Sequence, residues 1–141
     1  MDPCALCQKH KGLGDLAHPL GGYIYENEHF MVCHAPADKG PLGTLLIESK
    51  RHVLDFAEFN AAETLDYGNL TKKIYTALRP LVQAERIYQV SMMDGIPHFH
   101  AWILPRTADI KERGVAFIAK DLTCSEADAA KLAAKLREML I

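Results

Sequence analysis

The stretch Pro97-His98-Phe99-His100-Ala101-Trp102-Ile103-Leu104-Pro105 constrains the fold more than any other part of the chain. Successive side chains of a β-strand point to opposite faces, so His98, His100, Trp102 and Leu104 share one face and Phe99, Ala101 and Ile103 the other. The second set is suited to a core, and the prolines at either end bound the segment. The pattern predicts a strand over 98–104. Two imidazoles so placed stand about 6.5–7 Å apart along the strand. That is too far to share a proton and close enough for one ring to be held while the other reacts. Taken alone, such a pair reads as surface or hydrogen-bonded core histidines.

The rest of the chain supplies a context. Its 141 residues fit one domain, 1–141, and 49% hydrophobic with 24% charged residues is the balance of a protein with a single core. A disordered tail, a collagen-like rod and a disulfide-dense mini-protein are excluded. The net charge of -2 offers no basic field for nucleic acid or an anionic membrane. No basic-then-apolar opening and no apolar run of about 20 residues occur, so the expectation is a cytoplasmic protein with reduced thiols and no membrane partner. In that setting Cys4-x-x-Cys7 reads as a metal knuckle or a redox pair.

Residues 8–22 and 35–43 read as loops, rich in Gly and Pro or His. Strands are expected at 23–26, 30–33, 44–48 and 87–92, in addition to 98–104. A helix starts after Asn60, with Glu63 completing a capping box and Tyr67, Leu70, Ile74, Leu78 and Leu81 forming its apolar stripe. Pro80 should end or kink it. A last helix follows Ser125, with Ala129, Leu132, Ala133, Leu136, Met139 and Leu140 as its stripe. Short-linked strands with segregated helices predict an α+β fold with a mainly antiparallel five-stranded sheet.

The run from Pro97 to Arg106, histidines alternating with apolar residues and ending in Pro-Arg, resembles the signature of the histidine triad (HIT) family. Gly43 to His52, the helix after Asn60 and the strand before His98 fall in that family's order. The resemblance implies an α+β HIT-like fold, usually a homodimer sharing one continuous sheet. It also implies a nucleotide hydrolase or nucleotidyl transferase acting on a small-molecule nucleotide. It makes His100 the nucleophile that attacks the α-phosphorus, forming a nucleotidyl-histidine intermediate that water hydrolyses. For that step one ring nitrogen must attack while the other donates to a fixed acceptor, such as a backbone carbonyl. A dinucleoside polyphosphate or a phosphoramidate is the expected class of substrate, and a catalytically silent nucleotide-binding module is the rival reading.

Trp102 stands where the third histidine is expected. Its indole N–H can donate but cannot accept or shuttle a proton, so it can touch a phosphate oxygen, wall the site or stack on a base. A related branch, galactose-1-phosphate uridylyltransferase, has glutamine there, which keeps a transferase in view. Cys33 and His34 occupy the region where many members carry a ribose-binding aspartate. Asp94, Gly95 and Ile96 replace the polar residues expected before the histidines. Arg106 is expected either at a phosphate or in a surface salt bridge, and Lys50-Arg51 in solvent. The resemblance also implies a structural Zn2+ held by Cys4, Cys7, His52 and His98, as in some branches of the family. His10, at C-x2-C-x2-H spacing, is the other ligand choice. Cys33 and Cys124 lack partners at ligand spacing, and His18, His29, Tyr23 and Tyr25 read as surface or packing residues.

Overall fold

The computed structural model describes residues 3–140, so Met1-Asp2 and the outermost bounds of the expected 1–141 domain lie outside the described residues. Five strands, β1 (Tyr25–Glu26), β2 (Phe30–His34), β3 (Leu45–Ser49), β4 (Ala84–Val90) and β5 (His100–Thr107), form one sheet in the order β1-β2-β3-β5-β4. Every neighbouring pair is antiparallel. The helices are α1 (Ala5–His10), α2 (Ala61–Val82), α3 (Val115–Ile118) and α4 (Glu126–Met139). This is the α+β architecture with a five-stranded sheet that the patterning implied.

The alternation of the strands divides the molecule. Phe30 and Val32, Leu45 and Ile47, and Phe99, Ala101 and Ile103 face a core completed by α2 and α4, including Ile74, Leu78 and Leu136. The opposite face carries two cross-strand rows, Cys33–Leu46–Trp102 and Met31–Glu48–His100. The site is built on this second face.

Local chemistry explains most boundaries. Asn60 and Glu63 form a reciprocal capping box, Asn60 Oδ1 accepting from Glu63 N at 2.8 Å and Glu63 Oε1 from Asn60 N at 2.9 Å. α2 runs two residues past Pro80 to Val82, forgoing the one N–H that proline lacks, and Gln83 closes it in the left-handed region with φ 54°. Ser125 caps α4 through Asp128 N. Four expectations shift. α1 lies partly inside the stretch expected as a loop, with Cys4 Sγ capping it through Cys7 N. β4 begins earlier, at Ala84. β5 begins at His100 and continues through Pro105, where the β3 ladder has already stopped at Ile103, so a residue without an N–H is tolerated. Met139, expected in the α4 stripe, is exposed, whereas Leu140 is buried.

Gly43 is needed where it stands. Its φ is 94° and a Cβ there would meet Pro105 Cγ at 3.0 Å, while its N–H donates to His34 Nε2. Among the described residues no helix is long and apolar enough to cross a bilayer.

Candidate functional site

Four side chains from three parts of the chain converge at the N-terminal edge of β5. Cys4 and Cys7 bracket the first turn of α1. His52 follows Arg51, whose guanidinium donates to both Glu63 carboxylate oxygens, at 3.1 and 2.7 Å, and to the Glu58 carbonyl at 2.6 Å. That fork ties the segment to the cap of α2; Arg51 stays exposed, as expected, while pairing with Glu63, and Lys50 is partly exposed in a surface pair with Glu26 at 2.6 Å. His98 Nε2 donates to the Ser49 carbonyl at 2.7 Å, which leaves Nδ1 facing the cysteines. His98 Nδ1 lies 3.2 Å from Cys4 Sγ, 3.6 Å from Cys7 Sγ and 3.1 Å from His52 Nδ1. All four donor atoms lie within 4.8 Å of one another. A tetrahedron with metal–sulfur bonds of about 2.3 Å and metal–nitrogen bonds of about 2.0 Å has edges of about 3.3–3.8 Å, so two thiols and two imidazoles in this arrangement fit a four-coordinate metal centre. Burial lowers the pKa of His98, which favours the neutral ring that a metal requires. His10 is not in this group: its Nε2 is bonded to Glu48 at 2.9 Å, and its ring abuts that of His98 edge-on at 5.8 Å.

His100 begins β5 and is oriented by the residue two positions before it. Its Nδ1 donates to the His98 carbonyl at 2.8 Å. Since a carbonyl only accepts, the proton is on Nδ1 and the lone pair on Nε2. His100 and Trp102 line a cavity of about 240 Å³. Leu6 and Leu46 add apolar wall, and residues 16–19, of which His18 was expected only at the surface, close one side.

A buried polar cluster, missed in the sequence, borders the same cavity. Glu48, directly opposite His100 in the β3–β5 register, is fully buried. Its carboxylate accepts from Lys9 Nζ at 2.6 Å, His10 Nε2 at 2.9 Å and the Tyr23 hydroxyl at 3.1 Å. Burial pushes the Glu48 carboxyl up, but the His10 hydrogen bond and the Lys9 charge outweigh it and hold the group below its ordinary range. A lone glutamate in phase with Leu46 on an otherwise apolar strand was the available signal.

The remaining expected substrate contacts divide. Trp102 and His34 line the cavity. His34 has both ring nitrogens engaged, Nδ1 donating to the Ala35 carbonyl at 2.7 Å and Nε2 accepting from Gly43 N at 3.0 Å, and burial lowers its pKa. Cys33 is buried beside Lys9 and Glu48 rather than lining the cavity, and burial, reinforced by Glu48, pushes its thiol up to about 12. Arg106 is not brought to the site. It is buried six residues along β5, with its guanidinium on Glu85 at 3.0 Å and the Tyr88 hydroxyl at 3.3 Å.

No family model matches the sequence, and no curated protein matches it. The solved structures do. A Hit-like protein involved in cell-cycle regulation from Bartonella henselae superposes with a TM-score of 0.71 at 16% identity, over 97% of this chain and 96% of that one. A Zn-bound histidine triad family protein from Mycobacterium smegmatis gives 0.70 at 20% identity, over 98% and 93%. The fold is that of the histidine triad proteins. A hypothetical histidine triad nucleotide-binding protein from Sulfolobus tokodaii gives 0.69 at 18% identity, over 97% and 91%.

Proposed function

We propose that this chain binds a nucleotide in the cavity beside His100 and hydrolyses its phosphoanhydride or phosphoramidate bond. The observation that carries the reading is the tautomer of His100, whose Nδ1 is held by the His98 carbonyl so that Nε2 is the nucleophilic nitrogen at a cavity that contains it. Nε2 attacks the α-phosphorus and a P–N bond forms as the bond to the leaving group breaks. The leaving group takes a proton from solvent. Water then attacks the same phosphorus, the P–N bond breaks, and the nucleoside monophosphate leaves with His100 restored. The fixed Nδ1–H···O=C bond stabilises the positive charge that the ring carries in the intermediate.

Zn2+ on Cys4, Cys7, His52 and His98 has a structural role in this reading: it fastens α1 to the segment that enters β5. The donor set of two thiols and two imidazoles supports zinc, and the histidine triad fold of a Zn-bound neighbour agrees with it. β4 is an edge strand with one neighbour, which supports pairing with a second copy as a homodimer. Reduced thiols in the metal group suit a cytoplasmic protein. Trp102 favours one further reading, a nucleotidyl transferase, because no third histidine stands there to serve the water.

Quenching of wild type in alkaline detergent with radiolabelled dinucleoside polyphosphates and nucleoside phosphoramidates should trap a base-stable, acid-labile nucleotidyl adduct, absent in His100→Ala. Free monophosphate as the product supports the hydrolase; a conjugated phosphate acceptor identifies the transferase. Nucleotide binding without any adduct leaves the chain a silent binding module.

A further inference from the structure

The donor cluster and the cavity depend on the same short piece of chain. Cys4 caps α1 and Cys7 lies within it, and both belong to the cluster. Leu6, between them, is buried and lines the cavity, and so does Lys9, two residues beyond Cys7. Lys9 Nζ and His10 Nε2 lie 2.6 and 2.9 Å from the Glu48 carboxylate. Glu48 is itself a lining residue and the register partner of His100. One wall of the cavity, and the countercharge to the carboxylate beside the nucleophile, are therefore supplied by a helix whose first turn stands on the donor cluster.

What holds α1 down decides whether that wall is permanent. Six residues are too few for a helix to persist by propensity. The Lys9–Glu48 pair adds little net stability, because taking both charges out of water roughly offsets their attraction. Leu6 is a single apolar side chain. Four metal bonds outweigh these contributions, since a donor set of two thiols and two imidazoles folds together with its ion. When the ion leaves, α1 is released and the cavity changes in two ways. The Leu6 wall opens, and Glu48 keeps the neutral Tyr23 hydroxyl but loses the charge of Lys9. Its carboxylate then repels a phosphate brought to His100. Resting on the nucleotide reading of the cavity, we infer that the metal ion is a switch for that cavity: its binding through α1 closes the wall and neutralises Glu48, so that metal and nucleotide each strengthen the binding of the other. Linkage makes the factor the same in both directions.

Trp102 is the chain's single tryptophan and lines the cavity, so its emission reads the wall without any assay of activity. Chelation of the Zn2+-loaded protein should move that emission to longer wavelength and make it more readily quenched by acrylamide, with the sheet signal in circular dichroism retained. Equimolar Zn2+ should reverse both changes, and Cys7→Ser should show the open spectrum even with Zn2+ present. Titration calorimetry with adenosine and guanosine 5′-monophosphates should give affinities at least about tenfold higher for the loaded than for the chelated protein. Trp102 emission indifferent to the metal overturns the inference. Loss of the sheet signal on chelation does so too, being the mark of a metal that holds the whole fold. Equal nucleotide affinities with and without metal overturn it and leave the nucleotide reading standing. A Trp102 response with neither nucleotide bound by the loaded protein upholds the metal-closed wall and overturns the nucleotide reading alone.

Discussion

In His98 the Nε2–H is engaged by the Ser49 carbonyl and Nδ1 turns to Cys4, Cys7 and His52; in His100 the Nδ1–H is engaged by the His98 carbonyl and Nε2 is left for the cavity. Two histidines with the same strand spacing are thus given opposite tautomers, and with them different chemistry, by two main-chain oxygens. The ring that follows Arg51 depends on a different contact, the two-pronged Arg51–Glu63 pair. The hydrogen bond from Arg51 lowers the pKa of the Glu63 carboxyl. A depressed carboxylate contributes stability above its unfolded pKa, about 4.3, and loses it as pH falls through the folded value. Glu63→Gln keeps the cap but removes the ion pair, so it should melt below wild type at pH 7, and the gap should close as the pH is lowered beneath about 4. A gap independent of pH in thermal melts would show that the charge of Glu63 is not what holds Arg51. The Cys4-x-x-Cys7 knuckle and the alternation of His98 and His100 were legible because both signals are local; His52 and His98 as partners of the cysteines, and His100 as the reacting ring, were implied only by the family resemblance. Lys9 and Glu48 were not legible, since two opposite charges 39 positions apart carry no sign that they will meet in a dry interior.

Element by element, legibility follows how local the signal is. The capping box at Asn60 and the Ser125 cap lie within four residues and located both long helices. α1 escaped notice because a six-residue helix is not stable by propensity; its thiol cap and the anchoring of Lys9 and His10 on Glu48 are tertiary. Pro105 was taken as a strand terminator, yet β5 passes it where the neighbouring ladder has ended. At the end of α4 periodicity alone assigned both Met139 and Leu140 to the core, but the chain leaves the helix there, turning Leu140 inward and leaving Met139 half exposed. The two classes of position predict different costs. Leu136→Ala, at a fully buried site beneath the sheet, should lower unfolding free energy by about 2–5 kcal/mol. Met139→Ala should change it by no more than about 0.5 kcal/mol. Urea unfolding of both measures the difference, and equal effects would mean that α4 docks in another register.

At the scale of the molecule the metal donors and the cavity share one flap. Cys4 and Cys7 begin the segment whose Leu6, Lys9 and residues 16–19 wall the cavity, and Arg137 of α4 fastens its far end by donating to the Gly21 and Tyr23 carbonyls. With the proposed Zn2+ on these donors, its extraction would free one end of that flap and leave the sheet core untouched. The chelated protein should melt at least about 5 °C lower and be cut by trypsin after Lys9 or Lys11 much faster than the loaded form, while its sheet signal persists. Unchanged cleavage would assign the flap's order to the Glu48 cluster alone. The carbonyl of His98 has a separate consequence for how such a chain can change over generations. Whatever side chain drifts into position 98 brings the same main-chain oxygen with it. A descendant can therefore exchange the Cys4, Cys7, His52 and His98 cluster for a disulfide or an apolar staple and inherit, without further mutation, a histidine at 100 that still presents the same nitrogen.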